Sequence, residues 1–337
     1  MAHMDIFGSS AFNMMSLTAA LLDVPYVPGR LGQLGVYEEN SVATTSVSIE
    51  KDALTLALVP TTRRGSDPTP NVPGLRSLRN VNQVRLAMRD RIMADEIQNV
   101  RAFGSETALK AMQSEVNRRL GDLARKLDAT LEWHRMGALK GILYDSDGTT
   151  ALLNMYTLFG GSQTVRDFDL DNTSPVSGAV RTSCSVVIRA IEDELGALGY
   201  TSIHALCGTT FWDQLVAHKE VRETFLYQQG AALRERSARR EVFYGGITFE
   251  EYRGNVSGQA FVAAGDAYIF PIGAAGCFLT RFGPADYMDS VNTMGLPRYA
   301  RQYADPTGAD RFRDLEAQTN VIHLNTRPKV VVKGTNT

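Results

Sequence analysis

The chain has 337 residues, 44% of them apolar and 21% charged, and 35 Lys and Arg stand against 37 Asp and Glu for a formal net charge of −2. This is the composition of a folded chain long enough for two or three domain-sized units, and its near-neutrality excludes a global attraction to nucleic acid or anionic membrane. Three cysteines, Cys184, Cys207 and Cys277, are widely spaced and odd in number, so neither a disulfide framework nor a zinc knuckle is implied and a reducing compartment fits best.

The first residues carry no basic flank, apolar block or small-residue cleavage site of a signal peptide, so retention in the cytosol is expected. Residues 17–40, LTAALLDVPYVPGRLGQLGVYEEN, are broken by Pro25, Pro28, Gly29, Gly32 and Gly35, a spacing that argues against a long helix and for an extended arm lying on another surface. Alternation follows at Val47 and Ile49, then at Leu54, Leu56 and Leu58, and predicts a half-buried strand pair. TTRRGSDPTPNVPGLRSLRN, residues 61–80, has three prolines, two glycines and four arginines with little to bury, and reads as a long exposed excursion.

The strongest helix signal lies in residues 105–141. Ser105 is a candidate cap, and Leu109, Met112, Val116, Leu120, Leu123, Leu127 and Leu131 recur at three- and four-residue steps on one face. A helix of about 30 to 35 residues would be roughly 50 Å long. Glu115, Arg118, Arg119, Asp122, Arg125, Lys126 and Asp128 fall opposite the stripe, on a face expected to meet solvent or another subunit.

Residues 141–160 predict two strands around an Asp-Gly turn. Asp145 and Asp147 hint at a calcium loop, but Thr150 stands where such a loop needs glycine and Tyr156 where it needs glutamate. DFDLDN at 167–172 fails the same test, and its acids are expected on the wet side of a strand. A helix from about Ser177 turns Val180, Cys184, Val187, Ile188, Ile191 and Leu195 inward and stops at Gly196 and Gly199. A short buried strand to Cys207, a helix from Thr209 or Thr210, a basic helical segment over 226–241 and a hairpin turning at Gly245-Gly246 follow. A third apolar hairpin is expected at 267–280 and a closing strand at 320–334, completing an α+β inventory.

Cys207 is the one candidate nucleophile, since the helix after it could favour a thiolate. His204 lies three residues back on the strand and so on the opposite face, and His218 lies roughly 15 Å away along a helix. Ala205 and Cys207 therefore read as small apolar residues on a buried strand. No phosphate-binding glycine loop, dinucleotide fingerprint, zinc-protease helix or serine-hydrolase elbow is present. No catalytic, cofactor-binding or metal residue is assigned.

The order of parts is an arm, a long Arg/Pro loop between strands, one very long helix, a strand hairpin, a compact mixed domain and a return strand. It resembles the major capsid proteins of tailed bacteriophages, in the Hong Kong-type (HK97-like) shell fold. Within that fold the chain is similar to the lambda-type major capsid protein E family. The stretches that carry the likeness are FYGGITFEEYRG at 243–254, AYIFPIGAAGCFLTRFGPADYMDSVNT at 267–293 and GLPRYARQ at 295–302, with the apolar arm and RAFGSE at 101–106 in register.

The resemblance implies an N-terminal arm at 1–44 and an extended loop at 45–90. It also implies a peripheral domain at 91–168 and 301–337, with a spine helix at about 105–139, and an axial domain at 169–300. It implies a structural protein that self-assembles, as pentamers and hexamers, into an icosahedral shell in the host cytoplasm, enclosing double-stranded DNA. Neighbouring capsomers would meet through arm and loop, with Arg63, Arg64, Arg76 and Arg79 as the expected subunit contacts. Portal, scaffold and a decoration protein are further expected partners, DNA is expected to touch the inner surface nonspecifically, and no membrane is involved. A cytosolic cysteine hydrolase using Cys207 with His204 or His218, and another virion component such as a tail tube, stay open at this point.

Overall fold

A computed structural model describes residues 12–23, 29–51, 77–97, 108–172, 174–227, 241–256, 258–308 and 311–336. The chain opens with helix α1 (Met14–Asp23) and the single turn α2 (Arg30–Gln33), then strands β1 (Glu38–Ser41) and β2 (Ser46–Lys51). Strands β3 (Ser77–Asn82) and β4 (Val84–Met93) lead through the turn α3 (Ala94–Ile97) to α4 (Ala108–Lys140). β5 (Ile142–Tyr144), β6 (Ala151–Asn154), α5 (Met155–Phe159) and β7 (Thr164–Asp167) precede α6 (Ala179–Leu195), β8 (Ser202–Cys207), α7 (Thr209–Ala217) and α8 (Lys219–Tyr227). Nine strands or strand fragments close the description: β9 (Glu241–Tyr244), β10 (Ile247–Glu251), β11 (Asn255–Val256), β12 (Gln259–Ala260), β13 (Ala267–Ile272), β14 (Phe278–Phe282), β15 (Tyr299–Ala304), β16 (Phe312–Asn325) and β17 (Val332–Thr335).

Two sheets organise these elements. The first is built on the fourteen-residue β16, which pairs with β4 from Phe312 to Val321, with β15 from Arg313 to Gln318 and with β14 from Val321 to Asn325. β1 adds to β14 in parallel. The second sheet has six strands in the order β7-β17-β13-β8-β10-β9. β7 and β17 thus belong to the six-stranded sheet and β14 to the other, so the sheets do not divide the chain at residues 168 and 301.

Helix α4 joins the two. Its 33 residues span about 50 Å. Met112, Val116, Leu120, Leu123 and Leu127 pack with Phe12, Leu17 and Leu21 of the arm and with Ile92, Ala300 and Leu315 of the first sheet. Three turns further on, Met136, Ala138 and Leu139 belong to the core of the six-stranded sheet, with Phe211, Phe249 and Phe270. The leucine stripe read from the sequence runs through the first core to Leu127, its last member Leu131 packs in a small cluster with Phe282 and Val321, and a second apolar run begins in the other core.

Several expectations need correction. Residues 14–23 are helical rather than extended: the breakers that argued otherwise begin at Pro25, and Leu17 and Leu21, one turn apart, bury the same face against α4. The described part of the arm, residues 12–23 and 29–44, packs on its own chain. Residues 168–172 are not strand, because β7 ends at Asp167, whose Oδ1 accepts from Asp169 N–H at 3.0 Å, and Asp169 turns with φ +51°. The second strand of the 141–160 hairpin stops at Asn154, whose side chain accepts from Tyr156 and Thr157 N–H and starts α5.

Residues 267–280 are not a hairpin either. β13 and β14 lie in different sheets, and the chain crosses between them through Gly273 (φ +79°) and Gly276 (φ +71°). The ladder from β13 to β17 ends at Ile269, before Pro271, which has no N–H to give. The expected closing strand is two strands, since Pro328 opens a turn between β16 and β17. β2 pairs with β3, from Ser46 opposite Asn82 to Lys51 opposite Ser77. Ser105, Leu54, Leu56, Leu58 and nearly all of the basic segment after Tyr227 lie outside the described residues.

Candidate assembly interfaces

Cys207 ends β8, which is paired on both edges, with Glu251 of β10 and Ala267 of β13 beside it. It is fully buried, and burial pushes its thiol well above the ordinary value, disfavouring the thiolate. Cys184 and Cys277 are buried too, their thiols pushed up to about 12 and about 11 by burial. His204 is engaged elsewhere: its Nε2 lies 2.9 Å from Glu250 Oε2. The β8–α7 junction is packing, and the cysteine-hydrolase reading is set aside on this geometry.

The polar groups that matter tie elements together. Glu132 on α4 is buried, and its Oε1 accepts the Leu31 N–H at 2.7 Å, capping the first turn of α2. Glycine at residue 29 leaves room for this contact, because a Cβ there would stand 2.1 Å from Glu132 Cδ and push that side chain aside. Arg30 then reaches to the six-stranded sheet, donating from Nε to Glu250 Oε2 and from Nη2 to Glu241 Oε1, both at 2.7 Å. Burial pushes the Glu132 carboxyl up. Burial pushes Glu250 up as well, but hydrogen bonds from His204 and Arg30 outweigh it and hold that carboxyl below its usual range. Residues 29–33 are thus clamped between α4 and the edge of the six-stranded sheet.

A second clamp holds α1. Arg298 donates from Nη2 to both oxygens of Asp128, at 2.6 and 2.7 Å, and from Nη1 to Leu21 O at 3.3 Å. Both ion-pair members are buried. Thr18 Oγ1 donates to Ala300 O at 3.2 Å and accepts from Ala300 N–H at 3.1 Å. Asp128, expected on the solvated face, is therefore an interior residue. Sequence periodicity missed it because its partner is 170 residues away.

The outer face of the first sheet is a charged ladder. Arg85, Arg89 and Arg91 alternate outward along β4 over Asp314 and Glu316 of β16, both buried beneath them. Arg91 also stacks over Phe312, 3.7 Å from the ring centre. Among the arginines expected at subunit contacts, Arg79 lies on β3 opposite Ile49, its guanidinium 5.7 Å from the Phe159 ring centre. Arg63, Arg64 and Arg76 lie outside the described residues. No group of three or more His, Cys, Asp or Glu suited to a metal occurs among the described residues, and no described helix is long and apolar enough to cross a membrane.

The model for phage major capsid protein E matches residues 13–336. The major capsid protein of Pseudomonas phage KPP10 is 30% identical over 344 residues, covering 96% of each chain. That of Salmonella phage Felix O1 is 25% identical over 362 residues, again covering 96% of each. Among solved structures, the putative capsid protein of a prophage of E. coli CFT073 superposes with a TM-score of 0.61 at 14% identity, covering 98% of this chain and all of that one. The fold is HK97-like. The chain belongs to the phage major capsid protein E family, and it is a structural component of the virion head shell rather than an enzyme.

Proposed function

We propose that this chain builds an icosahedral shell of pentamers and hexamers around double-stranded DNA, with residues 52–76 reaching from each subunit onto a neighbouring one. The observation that carries the reading is the β2–β3 ribbon. Val47, Ile49 and Val81 anchor it in the main core, and its last pair, Lys51 opposite Ser77, brings both ends of the intervening segment to one place. That segment holds Arg63, Arg64 and Arg76, four prolines and, after Val59, only Val72 and Leu75 as large apolar residues, so its burial depends on surface supplied from outside. Bidentate pairing of its arginines with a neighbour's carboxylates is the chemistry expected.

In this reading the first sheet with the N-terminal part of α4 forms the peripheral domain, and the six-stranded sheet with α6 to α8 forms the axial domain. A portal, a scaffold and a decoration protein are further partners. DNA meets the inner surface weakly, as suits a near-neutral chain that must release it. Many copies in a closed lattice multiply weak contacts. Arg63→Glu combined with Arg64→Glu tests the loop: the variant should keep the circular dichroism and melting profile of the folded subunit yet yield no closed particles by electron microscopy. Particles at the wild-type yield would sink it.

A further inference from the structure

Helix α4 ends against the six-stranded sheet at Lys140, and its last turn is held in place. Tyr156 Oη donates to Lys140 O at 3.2 Å, and Gly141, at φ +89°, lies so close to the Tyr156 ring that a Cβ would stand 2.4 Å from it. The Lys140 side chain then lies over the Tyr268 ring, its Nζ 5.2 Å from the ring centre. Lys333 of β17 stands directly opposite Tyr268 of β13, and cross-strand neighbours project from the same face of a sheet, so two lysine amines share this corner.

Asp266 is the carboxylate beside them, and it is already engaged: its Oδ2 accepts from Lys333 Nζ at 2.8 Å, with both side chains mostly buried. The Lys140 amine forms no hydrogen bond or ion pair among the described residues, and the side chain is only partly exposed. Burial pulls its pKa down to about 8, the Asp266 carboxylate opposing the shift and the Lys333 ammonium adding to it. At about pH 7.5 such an amine is neutral in roughly a quarter of molecules, against about one in a thousand for an ordinary lysine.

A lysine desolvated beside a second cation is the arrangement that turns an amine into a nucleophile at neutral pH. The surroundings also select the electrophile. The Lys333 ammonium attracts a donor whose leaving group is an anion. Burial favours a neutral product, which an amide is and a carbamate is not. An acyl phosphate meets both conditions.

We propose that Lys140 is a modification site: its amine takes the acyl group of a small acyl phosphate, with the Lys333 ammonium drawing in the phosphate. The nitrogen lone pair forms the N–C bond to the acyl carbon, and the C–O bond to phosphate breaks, its electron pair leaving on the phosphate oxygen. The proton shed by nitrogen ends on the phosphate. Amine and acyl phosphate thus become an amide and hydrogen phosphate, and nothing is oxidised or reduced. The product removes one of two like charges where α4 meets β13 and β17 and leaves the Lys333–Asp266 pair whole. This chemistry belongs to the single subunit and is independent of how subunits pack.

Lys219, 72% exposed on α8, serves as the reference within the same chain. The full-length folded subunit is incubated with acetyl phosphate, digested, and its acetylated peptides are quantified over time by mass spectrometry. Lys140 should react about tenfold faster than Lys219 at about pH 7.5, and its rate should level off above about pH 8 while that of Lys219 goes on rising. Equal rates at the two lysines, or a Lys140 rate still climbing at about pH 9.5, would overturn the proposal. So would a difference that persists in urea, since it would then come from local sequence and not from the folded corner.

Lys333→Gln tests the attraction of phosphate, with circular dichroism and the melting profile checking its fold. It should slow acetylation of Lys140 by acetyl phosphate severalfold and acetylation by the uncharged donor p-nitrophenyl acetate much less. Equal slowing with both donors would refute the role of Lys333. Should the variant not fold, the wild type answers the same question: the rate ratio of Lys140 to Lys219 should be higher with acetyl phosphate than with the ester, and a ratio no higher would end the assignment of the donor.

Discussion

Asp128 and Arg298 meet through two hydrogen bonds, 2.6 and 2.7 Å long, in an interior reached by neither solvent nor any local sequence pattern. Removing one member leaves a buried charge without its counterpart, which typically costs about 3–5 kcal/mol. Asp128→Ala should therefore lower the urea midpoint of the dissociated subunit by that equivalent. Replacing both, Asp128→Leu with Arg298→Met, should recover most of the loss, because no charge is then stranded. Equal losses for the single and double variants would show that packing, not charge, sets the cost.

Gly29 and Glu132 make a sharper test of the arm clamp. Gly29→Ala forces the carboxylate away from the α2 turn and should expose Arg30 to trypsin in the folded subunit. Glu132→Gln keeps the acceptor oxygen and removes a charge that burial disfavours, so it should change stability by less than about 1 kcal/mol and leave Arg30 protected. Rapid cleavage at Arg30 in the wild type would contradict the clamp.

Acid should weaken the subunit through two histidines. Burial holds His134 neutral down to about pH 4, although the nearby Asp145 carboxylate favours its charged form. Burial lowers His323 as well, and neighbouring Arg135 and His134 lower it further. In the unfolded chain both ionise near 6.5. Between these values the unfolded state binds more protons, so stability is complete above about pH 6.5 and falls as pH drops through the window. For His134 alone the full loss, reached below about pH 4, is on the order of 3 kcal/mol. Urea midpoints at about pH 7 and about pH 4.5 measure it, and His134→Gln should reduce the difference to the part His323 supplies.

The thiols should be silent. Cys184, Cys207 and Cys277 are each buried with a raised pKa, so the native subunit should not react with iodoacetamide until it unfolds. Fast stoichiometric alkylation of Cys207 in the native state would reopen a nucleophilic role.

Elements with a local signature were legible in the sequence. The stripe from Met112 to Leu131 announced α4, the apolar face from Val180 to Leu195 announced α6, and Gly245-Gly246, with φ of +59° and +88°, announced the β9–β10 turn. What failed was everything decided at a distance. The apolar run at 267–280 reads identically whether its halves pair with each other or with strands of two different sheets, and only β8 and β16 decide. Asp128 looks solvated until Arg298 is placed beside it. Glu132, His134 and Arg135 lie among ordinary helix residues, and nothing local says that burial or a partner on the arm, β1 or Tyr252 awaits them.

β17 has a consequence for synthesis. It sits inside the six-stranded sheet, between β7 and β13, although those neighbours emerge from the ribosome much earlier. A nascent chain halted before Val332 leaves β7 detached from the sheet and one edge of β13 open, a state prone to wrong pairing. The gap opens in the same core that takes Met136, Ala138 and Leu139 of α4, the helix that also packs on the first sheet. A subunit terminated before Val332 is therefore expected to lack a finished sheet and to be excluded from a lattice of identical copies.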